Sequence, residues 1–113
     1  MRVSELASII GCECVQEEYA DGSVDSGYTS DLLSDVMANA ASGGVLVTIQ
    51  AHRNTIAVAS LVGLAAVVIC NDRLPPEDML EAARAERIAV FRTGLSQFEV
   101  SGRLWIALRP RDA

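Results

Sequence analysis

Apolar positions recur along this chain with two different periods, and the switching between them divides it into short strands and short helices. Val45 to Ile49 and Ala65 to Ile69 are continuous aliphatic runs rich in β-branched residues, the pattern of strands covered on both faces. Between them, Asn54 to Val62 is apolar on nearly every side, which predicts a buried helix lying between the sheet and a partner subunit, ended by Gly63. Leu32, Leu33, Val36, Met37 and Ala40 share one face of a helix predicted from Asp31 to about Ala40, capped by Asp31 or Ser30. Pro75 and Pro76 open a further helix, with Pro76 near its first position and Glu77 and Asp78 in its first turn. Ile88 to Phe91 is a last buried strand. Ser96 and Glu99 have the capping-box spacing at the head of a final helix with the stripe Leu95, Phe98, Gly102, Trp105, and the Arg109-Pro110-Arg111 tail is expected to fray.

Upstream the pattern is weaker. Ser4 to Ile10 predicts a short helix capped by Ser4 and closed by Gly11 in the left-handed region. Glu13 to Gln16 and Val24 to Thr29 are short strand candidates separated by the polar loop Glu17 to Ser23. The later part alternates strictly between strand and helix, so its strands are expected to be parallel with right-handed crossovers. The fold class is therefore α/β: one layered domain over residues 1–113, with a mostly parallel sheet of four to five short strands flanked by helices.

Composition narrows the function classes. Half of the 113 residues are hydrophobic but only 4% are aromatic, so the core is aliphatic. The net charge of −6 argues against nucleic acid as a partner, since phosphate backbones require a basic surface. Every basic residue is arginine, which removes Schiff-base and P-loop lysine chemistry. The longest apolar run, Ile56 to Cys70, is a helix plus a strand and falls short of the ~20 residues of a membrane span. With no signal-peptide pattern at the N-terminus, a soluble cytoplasmic protein is expected. Cys12, Cys14 and Cys70 lack zinc-ligand spacing and read as reduced, partly buried thiols, so neither metal nor cofactor is expected.

Each strand of the alternating part ends in polar residues: Gln50 to Asn54, Asn71 to Arg73, Arg92 to Ser96, with Tyr28 to Asp31 joining them. In a parallel sheet these fall on one edge, beside helix N-termini whose free N–H groups attract anions. The candidate ligand-binding residues are Tyr28, Asp31, Gln50, His52, Asn54, Thr93 and Ser96, with Arg53, Arg73 and Arg92 as local positive charge. For Asp31, Asn54 and Ser96 the alternative is simple helix capping. His52 is the only histidine and hence the one candidate general base. No nucleophile elbow, P-loop, dinucleotide fingerprint or zincin motif accompanies it, so no catalytic residue is assigned.

Three blocks, YTSDLLSDVMANA from Tyr28, TIQAHRNTIAVASLVGLAAVVIC from Thr48 and TGLSQFEVSGRL from Thr93, resemble the DRTGG domain family, particularly its small free-standing members. The resemblance is strongest over residues 24–105. Against the pattern D-R-x-V-T-G-G-Y, Asp21, Val24, Gly27 and Tyr28 match, whereas Gly22 replaces the arginine, Asp25 the threonine and Ser26 the first glycine. The resemblance implies an α/β domain like the N-terminal domain of HPr kinase/phosphorylase, an accessory domain that also occurs beside CBS domains in regulatory pyrophosphatases. It implies a non-catalytic regulatory role, which with the polar strand ends becomes the sensing of a small anionic metabolite or nucleotide at the strand C-terminal edge; the apolar helix from Asn54 and the aliphatic composition add a homodimer or larger homo-oligomer. The alternatives are a protein-interaction module of a redox or hydrogenase-associated system and, third, a small hydrolase or transferase using His52 as base.

Overall fold

The computed structural model describes residues 1–109. Its five strands are β1 (Glu13–Gln16), β2 (Gly27–Thr29), β3 (Val45–Thr48), β4 (Ala66–Ile69) and β5 (Ala89–Arg92). They form one sheet in the order β1-β5-β4-β3-β2, in which β2 to β5 are parallel and β1 runs antiparallel to β5. The α-helices are α1 (Leu33–Asn39), α2 (Arg53–Val62), α3 (Glu77–Glu86) and α4 (Gln97–Leu108). The parallel α/β layering matches the sequence reading, and the expected fraying beyond Arg109 lies outside the described residues.

Strand alternation splits the core into two clusters, one on each face of the sheet. Val45, Val47, Ala66, Val68, Ala89 and Phe91 point to the face covered by α4 and the N-terminal segment, where Leu6, Ile10, Val100 and Leu104 meet them. Leu46, Val67, Ile69 and Val90 point to the other, packing against Val36 of α1, Ile56 and Ala59 of α2, and Met79 and Ala83 of α3. The result is a three-layer sandwich built almost wholly of aliphatic side chains.

Several boundaries and faces differ from the sequence reading. The first segment is not an α-helix: Val3–Glu5 is a 3-10 turn and Ala7–Gly11 a π turn. The Ser4 hydroxyl and N–H both donate to Asp21 across the loop, so Ser4 anchors that loop and does not cap a helix. Gly11 does take a left-handed φ of 81°. The strand expected from Val24 is cut to three residues, because Val24 turns into the core and its neighbours pair elsewhere. α1 starts at Leu33 with Leu32 at its cap position, and Leu32 and Met37 are exposed, not core. α2 begins one residue earlier than expected and leaves Leu61 in solvent. Pro76 stands at the cap position of α3, not inside it. In α4 the buried positions are Val100 and Leu104, while Phe98 and Trp105 of the expected stripe face outward.

Candidate functional site

Because β2, β3, β4 and β5 point the same way, their C-terminal ends and the following helix N-termini share one rim of the sheet. Asp31, two residues beyond the end of β2, ties this rim together. Its Oδ1 accepts hydrogen bonds from the Thr48 hydroxyl at 2.9 Å, the Ile49 N–H at 2.8 Å and the Gln97 amide at 2.9 Å. Its backbone carbonyl accepts from the Gln50 amide at 2.9 Å. One residue thus joins the exits of β2 and β3 to the first turn of α4. Gln50 is held further by its N–H, which donates to the Thr48 oxygen, and by its carbonyl, which receives the buried Thr55 hydroxyl.

On the far side of the rim, the connection after β4 is a tight turn. Asn71 and Asp72 both adopt left-handed φ of 59°, which these short polar side chains tolerate best among non-glycines. Their N–H groups donate to the carbonyls of Leu95 and Thr93, so the β4 and β5 exits brace each other. Arg92 closes this brace: it bonds the carbonyls of Arg73 and Asp72 and forms an ion pair with Asp72 at 2.7 Å. Its charge is therefore spent on the turn. Arg53 and Arg73 are exposed and, among the described residues, enter no ion pair.

The four helix N-termini on the rim differ in what they leave open; α1 has no side-chain cap but carries Asp35 in its first turn. α4 carries the capping box expected from its sequence, with Ser96 accepting the Glu99 N–H at 3.2 Å and Glu99 accepting the Ser96 N–H at 3.2 Å. α3 has Glu77 and Asp78 in its first turn, which offset the positive end of its dipole. α2 has neither a side-chain cap nor an acidic residue in its first turn, and His52, Arg53 and Asn54 are all exposed there. The Thr55 N–H donates back to the His52 carbonyl, which leaves the N–H groups of the exposed Arg53 and Asn54 at this helix head, the arrangement that receives an anion.

The sequence-derived residues accordingly separate into groups. Asp31 and Gln50 are bonded to each other, and His52 and Asn54 follow Gln50 at the head of α2. Thr93 lies on the same edge but is buried: its hydroxyl donates to the Gly11 carbonyl and accepts the Leu95 N–H, which uses its bonding capacity on the scaffold. Ser96 caps α4. Tyr28 turns away from the rim toward α1, where its hydroxyl donates to the Asp35 carboxylate at 2.9 Å. Thr48 and Gln97 complete the rim and were not singled out by the sequence. Thr48 ends an aliphatic run and reads as one more β-branched residue; nothing in the spacing of Gln97 points 66 residues back to Asp31.

Electrostatics separate Asp35 and Tyr28 from ordinary surface groups. Hydrogen bonds from Ser30, Tyr28 and Asn39 hold the Asp35 carboxyl below the usual carboxylate range. The bond to that carboxylate raises the Tyr28 phenol in turn. The pair therefore favours folding at pH above the unfolded carboxyl value. That contribution is lost as pH falls through the depressed Asp35 value, and lost again as pH rises through the elevated Tyr28 value. In Tyr28→Phe, Asp35 is expected to titrate at higher pH, so the acid-side decline in stability begins earlier. Carboxyl NMR titration reads this directly, and an unchanged Asp35 titration would contradict the assignment.

The thiols are poor nucleophiles. Burial, followed by the neighbouring Cys14 and Cys70, pushes Cys12 up to about 12. Burial and then the Asp31 charge push Cys70 up to about 11, and burial also raises Cys14. All three are protonated at neutral pH. Among the described residues, no three His, Cys, Asp or Glu side chains are grouped to hold a metal ion, and no helix is long and apolar enough to cross a membrane.

No protein-family model matches the chain, and no curated protein matches it. A solved structure does: the CBS and DRTGG domains of the regulatory region of Clostridium perfringens pyrophosphatase, complexed with its activator diadenosine tetraphosphate. The two share 14% identity at a TM-score of 0.70, and the match covers 90% of this chain. The chain corresponds to 45% of that regulatory fragment. The five-stranded, mostly parallel sheet between helices is a DRTGG-like α/β fold.

Proposed function

We propose that this chain is a non-catalytic regulatory domain that senses a small anionic metabolite or nucleotide at the strand C-terminal rim, acts in the cytoplasm and assembles as a homodimer or larger homo-oligomer. The single observation that carries the reading is the open N-terminus of α2, the one rim helix with no side-chain cap and no acid in its first turn, next to Gln50, His52 and Asn54. A phosphate there meets helix N–H groups, the exposed Arg53 guanidinium and the amides of Gln50 and Asn54. His52 stands at the cap position as a contact to the ligand and, among the described residues, is paired with no carboxylate that would make it a base. Asp31, Thr93 and Ser96 hold the walls, and Tyr28 fixes α1 behind them.

The bound activator of the structurally similar pyrophosphatase region supports nucleotides, diadenosine tetraphosphate among them, as the first class to test. Binding to the native state alone raises the apparent melting temperature, so a thermal-shift series with adenine mono-, di- and dinucleotides and with phosphate is the direct experiment. A nucleotide is expected to raise the transition, and Asn54→Ala together with Arg53→Gln to weaken that effect about tenfold in ligand concentration, with the ligand-free transition unchanged. Equal shifts in wild type and variant would remove the rim as the site. A protein-interaction role is the second reading; it rests on the exposed apolar side chains Leu32, Met37 and Leu61 on the opposite layer from α4.

A further inference from the structure

The two edges of the sheet are finished differently. β1 is interrupted by a bulge between Cys14 and Gln16 and flanked by Glu13, Glu17 and Glu18, devices that discourage another strand from pairing. β2 has no bulge, and a single exposed acid, Asp25, precedes it. Its bonds to β3 run from the residues alternating with Gly27 and Thr29: the Ser26 carbonyl accepts the Val45 N–H, and the Ser30 N–H donates to the Val47 carbonyl. The backbone N–H and C=O groups of Gly27 and Thr29 therefore face the open edge. Beside that edge lies a cleft of about 510 Å³ walled by α4, with Leu104, Trp105 and Leu108 among its lining. On the outer side of α4, Phe98 is 88% exposed, Trp105 69% and Ile106 71%.

We propose that this edge and the outer stripe of α4 form the homodimer interface, with β2 pairing antiparallel to β2 of a second copy about a two-fold axis through Tyr28. The inference rests on the homo-oligomeric part of the proposed function and names its surface. Three independent features fit one axis. First, antiparallel pairing centred on Tyr28 sets Gly27 opposite the partner's Thr29, and their outward groups exchange hydrogen bonds on both sides of the axis.

Second, α4 runs antiparallel to β2 beside it. The Ser101 hydroxyl lies 2.6 Å from that of Thr29, and Leu104 covers Gly27 so closely that an added Cβ would come within 2.7 Å of it. The axis through Tyr28 thus meets α4 between Ser101 and Leu104. The outward residues Phe98, Gly102, Trp105 and Arg109 are symmetric about nearly that point, so antiparallel packing seats each Trp105 over the partner's Gly102 and brings each Arg109 to the partner's Phe98.

Third, the spacing is right. α4 packs on both β2 and β3. With strands about 4.8 Å apart, the two copies of α4 come to lie about 10 Å from each other, the normal distance between packed helices. Phe98 and Trp105 alone offer on the order of 300 Å², roughly a third of what each partner in a stable complex buries; the cleft and the strand edge supply the remainder. An isologous interface demands this kind of self-complementarity, which a surface built for a different protein does not.

The test uses light scattering on the full chain across a concentration series, with Trp105, the sole tryptophan, as a fluorescent reporter. The wild-type chain is expected to weigh two copies at micromolar concentration and to shift its emission to the red on dilution. Gly102→Glu is the decisive variant, because no heavy atom lies within 4 Å of an added Cβ and the isolated fold keeps all its contacts. It is expected to return the mass to one copy while the circular dichroism spectrum and rim nucleotide binding persist; Trp105→Arg is expected to do the same. A dimer that survives both substitutions overturns this interface and leaves the oligomeric reading standing. A wild-type chain that stays monomeric with solvent-exposed Trp105 overturns both.

Discussion

Phe91→Ala is expected to destabilise the chain by about 3–5 kcal/mol, the largest single loss available in this core. Phe91 is 1% exposed, in a chain with only two phenylalanines, of which the other, Phe98, lies on the surface. It sits in β5 between Cys14 of β1 and Val68 of β4, with Leu6, Ile10 and Val100 in the same cluster. Val68 and Cys14 are fixed in the sheet, and Leu6, Ile10 and Val100 belong to segments packed over it, so these neighbours fill the space of a lost ring only in part and the cavity term persists. Because β5 also joins the one antiparallel strand to the parallel sheet, the N-terminal segment should loosen with it. Urea unfolding measures the loss as a fall in midpoint at constant slope. A decrease below about 1.5 kcal/mol would mean that the N-terminal segment collapses onto the vacancy and is not rigidly packed.

The contrast between Phe91 and Phe98 shows what could be read from the sequence. The buried strands were legible because aliphatic, β-branched runs of four or five residues, set off by glycine and polar turns, leave few other structures possible. Their parallel order followed from strict alternation with helices, and from that order came the common rim. α4 was harder. Its sequence contains two stripes of helical period, Val100 with Leu104 and Leu108, and Phe98 with Gly102 and Trp105; periodicity cannot rank them. The choice is made across the fold, where Gly27 leaves a gap that Leu104 fills.

The N-terminal segment failed for a related reason. Leu6, Ile9 and Ile10 mark a face, but a face does not reveal whether each turn closes after three, four or five residues. That is decided by distant groups, such as the Arg103 guanidinium bonding the Ile10 carbonyl at 2.7 Å. At the rim, a short acidic residue after a strand serves equally as a helix cap or as a tertiary acceptor. Ser96 followed the local rule and capped its helix. Asp31 did not.

Asp31→Ala is expected to cost about 2–3 kcal/mol, well beyond the roughly 1 kcal/mol of a lost helix cap. The two explanations of this residue make different predictions. A cap would matter only to α1, whereas in the structure one carboxylate oxygen receives a threonine hydroxyl and a backbone N–H from the exit of β3 and a glutamine amide from the first turn of α4. Removing it leaves the partly buried Ile49 N–H without its acceptor and releases Gln97, so the first turn of α4 separates from the exit of β3. Asp31→Asn is the informative companion, since the amide keeps an acceptor oxygen at the same place and should recover most of the loss. Gln97→Ala removes one donor only and should cost less than either partner of a charged bond usually does, about 1 kcal/mol. Hydrogen exchange distinguishes the tie from a cap: in Asp31→Ala, protection should fall at Ile49 and along the first turn of α4, while α1 keeps its own. If α1 alone loses protection, Asp31 is a cap, and the rim around Gln50 and the head of α2 is not held together in the way that a preorganised anion site requires.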